Sequence, residues 1–209
     1  MGVVYRRESS DNYVPAVNGA IMIERAYAAL AGQLLVLTHK SGEWTLESHL
    51  TEHRPMCVTV DPTTSRDAYC GTYDSGLWRS TDGGKSWNRV GGSELPNRVM
   101  SVMVDSRRSE NGQHPVWIGT EPSAVFQSND GGDTWIEHTG IQQLPSEPDW
   151  AFPPRPETHH VRWLEPDPAN SEGVYVSIEQ GALIKTPDYG DTWHDRVPGS
   201  PRDVHTFAF

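Results

Sequence analysis

Ser80-Thr81-Asp82-Gly83-Gly84-Lys85-Ser86-Trp87 is the stretch of this sequence that decides the fold. Its pattern returns as Ser128-Asn129-Asp130-Gly131-Gly132-Asp133-Thr134-Trp135 and, altered, as Thr186-Pro187-Asp188-Tyr189-Gly190-Asp191-Thr192-Trp193. We call these three stretches the octets. Their tryptophans are 48 and 58 residues apart, and a repeat of this length is typical of arrays, solenoids and propellers.

The composition of each octet predicts a tight turn between two antiparallel strands. The Asp carboxylate can accept hydrogen bonds from nearby backbone N–H groups, and the Gly accepts a positive φ at little steric cost. The Ser and Thr hydroxyls can satisfy the remaining polar groups of the turn. The Trp then begins the next strand, and we expect its ring to be buried between sheets. The residues given this structural role are Ser80, Asp82, Gly84, Trp87, Ser128, Asp130, Gly132, Trp135, Thr186, Asp188, Gly190 and Trp193.

The octets resemble the Asp-boxes, or BNR repeats, of sialidase-like β-propellers. The resemblance covers about residues 54–199. The third octet departs from the pattern, because it begins with Thr186 and has Tyr189 where the others have a second Gly. The resemblance implies the blade fold strongly and an activity only weakly, since the family carries this repeat on sialidases, other glycosidases and non-enzymes.

The expected fold class is all-β, a propeller of four-stranded antiparallel blades. We interpret residues 1–53 as an irregular lead-in and a degenerate blade, 54–199 as three blades, and 200–209 as the first strand of a further blade. Residues 21–31 suit either a helix or a strand pair. Because propellers close with 4–8 blades, about four blades suggest an incomplete ring, a strained four-blade ring or a dimer that closes an eight-blade ring. The predicted strands are 34–38, 44–48, 56–60, 67–72, 76–80, 87–90, 99–104, 116–120, 124–128, 135–138, 161–165, 174–178, 182–186, 193–196 and 203–209.

The net charge of −11 argues against nucleic acids and anionic membranes as partners, because both require basic surfaces. There is no run of about 18 apolar residues and no apolar signal core after Met1. A cytoplasmic location is therefore expected, unless a leader precedes this sequence. Without secretion, Cys57 and Cys70 are expected to be free thiols rather than a disulfide.

Topology places the candidate functional residues on the face opposite the octets. In each blade the loop between the second and third strands must emerge there, and this is the face that holds the ligand site in sialidase-like propellers. Each of these loops carries a carboxylate, and the three carboxylates are Asp74, Glu121 and Glu179. We name them as candidate catalytic residues, since glycoside hydrolysis uses two carboxyl groups about 5–10 Å apart.

The long connection at residues 139–160 interrupts the repeat on this same face. It is rich in Pro and aromatic residues, and long loops in compact domains are often functional. Trp150 could stack on a sugar ring, or it could cap the blades as a core residue. The candidate ligand-binding residues are Tyr73, Trp150, Arg155, His159 and His160.

No cofactor and no metal are predicted. Each octet has too few carboxylates for a calcium ion, which prefers 6–8 oxygen ligands. Adjacent histidines on a strand point to opposite faces, so His159 and His160 cannot easily share a zinc ion.

The sequence favours a propeller that binds a carbohydrate, a protein or a peptide, with self-association through an open edge as a further option. The alternative is a glycoside hydrolase. The Arg-Ile-Pro motif of sialidases is missing, and Pro154-Arg155-Pro156 echoes it only superficially.

Overall fold

The computed structural model describes residues 2–6, 24–64, 66–110 and 112–208. These residues form four antiparallel sheets that follow one another along the chain. The first sheet contains β1 (Gly2–Arg6), β2 (Arg25–Leu30), β3 (Gln33–Lys40) and β4 (Glu43–His49). The second contains β5 (Pro55–Val60), β6 (Ala68–Thr72), β7 (Leu77–Ser80) and β8 (Asn88–Val90). The third contains β9 (Val99–Val104), β10 (Val116–Thr120), β11 (Val125–Ser128) and β12 (Ile136–Glu137). The fourth contains β13 (Val161–Pro166), β14 (Val174–Ile178) and β15 (Ala182–Thr186).

The four sheets are the blades of an incomplete propeller, as predicted. Within each sheet the strands are hydrogen-bonded in chain order. The first strands of successive sheets lie beside one another, β1 against β5, β5 against β9, and β9 against β13, so they form the inner side of the array. Three hydrophobic clusters fill the spaces between consecutive sheets. Among the described residues, none of these clusters joins the first sheet to the fourth.

Glycines on the second strands allow the blades to approach this closely. A Cβ on Gly119 of β10 would lie 2.2 Å from Cγ1 of Val161 in the next blade. A Cβ on Gly71 of β6 would lie 2.7 Å from Cγ1 of Val99. At both positions any larger residue would push two blades apart.

Most predicted strands are confirmed to within a residue or two, and those at 99–104, 116–120, 174–178 and 182–186 are confirmed in full. Three predictions need correction. Residues 2–6 form β1 and are not irregular, because they pair with β2 along its whole length. The fourth blade has three strands, and its outer strand is reduced to a single bridge between Lys185 and His194. The strand predicted at 203–209 does not form over 203–208.

The first blade resolves the ambiguity at residues 21–31 in favour of strand. Residues 25–30 pair with β3, while residues 21–23 lie outside the described part of the chain. Alternate side chains in this stretch contribute to the core, since Tyr27 and Ala29 pack with Leu34 and Val36. The same cluster contains Val58 and Ala68 of the second blade, so burial between the two blades favours the strand here.

All three octets adopt one hydrogen-bonded turn. The hydroxyl of the first residue accepts a bond from the N–H of the fifth, and the carboxylate of the third accepts from the hydroxyl and N–H of the seventh. The distance from the backbone N of the fifth residue to the hydroxyl oxygen of the first is 2.8 Å for Gly84 and Ser80, 2.8 Å for Gly132 and Ser128, and 2.7 Å for Gly190 and Thr186. The hydroxyl-to-carboxylate distance is 2.6 Å in every copy. The fifth residue has φ of +86°, +104° and +101°, a backbone conformation that suits Gly.

The third octet tolerates Tyr189 at a φ of +61° because its side chain gains contacts in the third blade. The ring packs edge-on against Trp117, with centroids 5.1 Å apart. The guanidinium of Arg108 lies 4.2 Å from the centroid of the same ring. These contacts offset the strain that a non-glycine residue meets in this conformation.

The octet tryptophans are less buried than predicted. Trp87, Trp135 and Trp193 are half-buried, and each packs against the edge of one hydrophobic cluster. Each indole N–H donates to the carbonyl of the fifth octet residue, at 3.1, 3.0 and 3.2 Å. The ring therefore folds back over its own turn and leaves one side in solvent.

The octets should make folding sensitive to acid. Burial disfavours the charged form of Asp130, but hydrogen bonds from Thr134, Ser128 and Asp133 outweigh it and lower the pKa to about 2. The equivalent bonds lower the pKa of Asp82 and Asp188. Since an unfolded Asp has a pKa of about 3.9, these groups stabilise the fold above about pH 4, and the contribution is lost as the pH falls toward 2.

We therefore expect the melting temperature to fall steeply between about pH 4 and about pH 2, and Asp130→Asn to reduce that slope. Asp133→Asn is the matched control, because only the backbone N–H of Asp133 takes part in the turn. If the melting temperature fell equally steeply over this pH range in wild type and in Asp130→Asn, this account would be contradicted.

The two cysteines are free thiols. Burial raises the pKa of Cys57 to about 12 and that of Cys70 well above its usual value. Both side chains act as small apolar groups in the second blade. No helix in the described part of the chain is long and apolar enough to cross a membrane.

Candidate functional site

The second-to-third-strand loops emerge opposite the octets, and in the second and third blades a Thr at the end of the second strand fixes the loop. The hydroxyl of Thr72 donates to the carbonyl of Gly76 at 2.8 Å, and that of Thr120 donates to the carbonyl of Pro122 at 2.7 Å. The residue that follows each Thr, Tyr73 or Glu121, is thereby held at the base of its loop. In the fourth blade Glu179 takes the same place after β14.

Glu121 is the most buried charged group of this face. Its side chain is 0% exposed, and each carboxylate oxygen faces a guanidinium. Nη1 of Arg98 lies 2.8 Å from one oxygen, and Nη2 of Arg155 lies 2.5 Å from the other. Arg98 precedes β9, whereas Arg155 comes from the long connection, so Glu121 joins that connection to the third blade.

His160 lies between Glu121 and Glu179. Its Nε2 is 2.9 Å from a carboxylate oxygen of Glu179, and its Nδ1 is 3.6 Å from the Glu121 oxygen that faces Arg155. The imidazole is buried, and this burial lowers the pKa of His160 although both carboxylates oppose the shift. Arg162 contributes a further contact to Glu179 at 3.3 Å.

Three guanidinium groups lie around the ring of Tyr73. The Cζ atoms of Arg54, Arg98 and Arg155 lie 4.2, 4.8 and 5.4 Å from the ring centroid. Arg54 also donates its backbone N–H and its Nε to the carboxylate of Asp74, both at 3.2 Å. Burial disfavours the charged form of Asp74, but these bonds outweigh it and lower the pKa of the carboxyl.

The long connection packs beside Glu121 and brings two of the predicted residues, Arg155 and His160, to it. Two short 3-10 turns, Thr139–Gln143 and Glu147–Asp149, fold it over the third and fourth blades. Phe152 then packs edge-on against His160, with centroids 4.9 Å apart, and Arg155 lies 4.9 Å above the Phe152 ring. The connection thus delivers Arg155 to Glu121.

Trp150 and His159 lie apart from this group. Trp150 is 5% exposed within the core, and its indole N–H donates to the hydroxyl of Ser146 at 2.9 Å. Its ring therefore has no open face for stacking on a sugar. His159 packs edge-on against Trp150 and has its Nε2 3.9 Å from Glu147.

Ligand atoms of Glu179, Asp203 and His205 come within 4.8 Å of one another at the edge of the fourth blade. These side chains already have partners. Nε2 of His205 lies 2.9 Å from Asp203, and the amide of Gln180 donates to Asp203 at 2.7 Å. The group is thus an internally paired set of charges.

The structure brings together five of the eight predicted site residues: Tyr73, Glu121, Arg155, His160 and Glu179. Asp74 is linked to them through Arg54, whereas Trp150 and His159 are not. The candidate residues named from the sequence did not include Arg54, Arg98, Arg162 or Phe152, and the sequence did not show that the carboxylates pair with cations. One signal in the sequence points to these cations: Arg54, Arg98 and His160 each directly precede the first strand of a blade.

The fold is that of known propellers. An ancestral GH74 enzyme matches with a TM-score of 0.61 and 20% identity, over 85% of this chain and 23% of that chain. The GH74 xyloglucanase from Xanthomonas campestris matches with a TM-score of 0.56 and 14% identity, over 83% of this chain and 28% of that one. YCF48 from Cyanidioschyzon merolae matches with a TM-score of 0.55 and 18% identity, over 86% of this chain and 54% of that one.

This chain spans between about a quarter and about half of the length of these neighbours. No protein-family model matches the sequence, and no curated protein matches it. At 20% identity or less, the likeness establishes the propeller fold and nothing finer.

Proposed function

We propose that this chain is part of a binding propeller of the Asp-box type, and that it holds a carboxylate-bearing ligand on the face opposite the octets. The observation that carries the proposal is the pairing of Glu121 with Arg98 and Arg155. A fully buried carboxylate between two guanidiniums acts as their counter-ion. It holds both arginines in place for a ligand that reaches them from outside.

The same relation recurs around the face. Asp74 holds Arg54, and Glu179 holds Arg162 and His160. A glycosidase instead needs a general acid that can reach the glycosidic oxygen. Glu121 has no exposed surface with which to do so, and the other two carboxylates are engaged by cations.

The ligand class follows from the groups that remain open. The side chains of Arg54, Arg98 and Arg155 are 59%, 44% and 36% exposed and converge on Tyr73. Guanidinium groups bind carboxylates through paired N–H donors, and an aromatic ring limits their freedom. An acidic peptide segment or an acidic sugar has this chemistry, whereas a basic peptide would meet the arginines first.

Glycoside hydrolysis is the second candidate function. The side chain of Glu179 is 13% exposed at the rim and belongs to the same cluster as Glu121, with one imidazole between the two carboxylates. Two of the neighbours in fold are named as GH74 enzymes. The binding and glycoside assays described next separate the two functions.

We expect a fluorescent Glu-rich decapeptide to bind the wild-type chain and to bind Arg155→Gln about tenfold more weakly, the loss of about 1.4 kcal/mol expected for a charge-assisted hydrogen bond. Fluorescence anisotropy measures the affinity. Arg66→Gln is the matched control, because Arg66 bonds the carbonyl of Thr81 on the octet face.

A Lys-rich decapeptide and a panel of chromogenic glycosides, neutral and acidic, complete the experiment. Equal affinity of wild type and Arg155→Gln for the acidic peptide, or preference for the basic peptide, would contradict the proposal. Turnover of a glycoside that disappears in Glu179→Gln would establish the hydrolase instead.

A further inference from the structure

In its neutral form, the buried imidazole of His160 cannot donate a hydrogen bond to both of the carboxylates beside it. A neutral histidine has one N–H donor and one acceptor nitrogen, yet both ring nitrogens of His160 face carboxylate oxygens, which only accept. Nε2 is the better placed to donate, at 2.9 Å from Glu179. Nδ1 then presents a lone pair to Glu121 at 3.6 Å and has no hydrogen bond.

From this arrangement we infer that His160 is a positioning residue for the ligand site proposed above: its protonation, passed through Glu121, makes Arg155 more available to a carboxylate ligand. The inference rests on the proposed function and adds a residue and a pH dependence to it. His160 itself need not touch the ligand.

Protonation would give Nδ1 an N–H directed at the Glu121 oxygen that also accepts from Arg155. Glu121 would then share its negative charge between an imidazolium and two guanidiniums. Arg155 would be held less tightly by its counter-ion, and the site would gain one positive charge. Both changes favour an anionic ligand.

The charged groups around the imidazole come from four elements. The loop after β10 supplies Glu121, and the loop after β14 supplies Glu179. Strand β13 supplies Arg162, which disfavours protonation, and the long connection supplies Arg155 and the neighbouring His159. His205 also contacts Glu179, at 3.5 Å, and must be tested separately. Burial holds the pKa of His160 below its usual range, so the transition lies on the acidic side of neutrality.

The coupling can be measured without any ligand. Side-chain NMR of the ¹⁵N-labelled chain should show the Nε–H resonance of Arg155 moving with the titration of the His160 imidazole. In His160→Gln, where the amide can still donate to Glu179, the Arg155 resonance should not move in that pH range. An Arg155 resonance that ignores the His160 titration in wild type would overturn the inference.

The affinity for the Glu-rich decapeptide is measured at about pH 7.5 and at the lower pH at which NMR shows the His160 imidazole to be protonated. The added positive charge of the imidazolium should tighten binding by about fivefold at the lower pH in wild type and in His205→Gln, and leave His160→Gln unchanged. A peptide with sulfonated residues in place of Glu, which stay ionised at both pH values, provides the control.

The two proposals fail in different ways. Binding with the same pH dependence in wild type and His160→Gln would overturn the role of His160 and leave the proposed function intact. NMR coupling without peptide binding at either pH would overturn the proposed function and leave the positioning of Arg155 by His160 standing.

Discussion

Replacing Arg107 with Met should lower the free energy of unfolding by about 3–5 kcal/mol, the cost of leaving a buried charge without its partner. The carboxylate of Asp105 is 0% exposed. Its oxygens accept from Nε and Nη2 of Arg107 at 2.8 and 2.7 Å. Met fills a similar volume but offers no donor, so the buried carboxylate of Asp105 would lose its ion-pair partner.

Arg107 also ties the third blade to the fourth. Nη1 donates to the carbonyl of Asp167 at 2.6 Å and to that of Asn170 at 3.1 Å, and Nη2 donates to the carbonyl of Gly173 at 3.0 Å. These carbonyls belong to the turn between β13 and β14. Loss of the guanidinium therefore removes contacts between blades together with the ion pair.

Urea denaturation measures the effect, with Arg108→Met as the matched control. Arg108 is 44% exposed, lies 4.0 Å from Glu172 and stacks on Tyr189, so its loss should cost about 1 kcal/mol or less. Adding Asp105→Asn to Arg107→Met should recover part of the stability, because a neutral amide is less costly to bury than a carboxylate. Equal effects of Arg107→Met and Arg108→Met would show that the buried pair contributes nothing special.

The octets show why so much of the fold could be predicted from the sequence. Their Ser, Asp and Gly form a turn through bonds within eight residues, so the local sequence contains the whole structure of the turn. Once the turn between the third and fourth strands was located, the spacing to the other strands followed. The resemblance to Asp-boxes then supplied the arrangement of the blades.

The errors in the predicted fold have two different causes. Residues 2–6 have no turn signal of their own, and they are a strand because β2 offers them an edge. The octet tryptophans are less buried than predicted because each indole N–H donates to a carbonyl of its own turn. The first error depends on a distant contact, and the second on a bond across three residues that the residue pattern alone does not specify.

The positions of the candidate residues could be predicted from the sequence, but the groups that surround them could not. Topology placed Asp74, Glu121 and Glu179 on one face because each follows a second strand. It could not show that the crossings and the long connection would bring Arg54, Arg98 and Arg155 against them, since these contacts span 20, 23 and 34 residues. A carboxylate in a sequence suggests an acid or a base, and only the folded structure shows which cations pair with it.

Gly119→Ala should destabilise the fold by about 3 kcal/mol, as overpacking of a dense interior does. Gly119 lies on β10 and faces β13 of the next blade. A Cβ there would lie 2.2 Å from Cγ1 and 2.4 Å from Cβ of Val161, and 2.5 Å from Oγ of Ser101. Val161 is 0% exposed and cannot rotate away without displacing its strand. The two blades must therefore separate.

Separation of the two blades should also displace the candidate site, because His160 directly precedes Val161. The carbonyl of His160 accepts a hydrogen bond from the N–H of Glu179 at 3.2 Å. Thermal and urea denaturation measure the stability, and Gly92→Asn is the control, since no atom lies within 4 Å of a Cβ at that position and Asn tolerates its positive φ. Val161→Ala in the Gly119→Ala background should restore part of the loss, so that the double variant is more stable than the sum of the single effects predicts. Strict additivity of the two substitutions would mean that the blades do not meet at Gly119 as the structure describes.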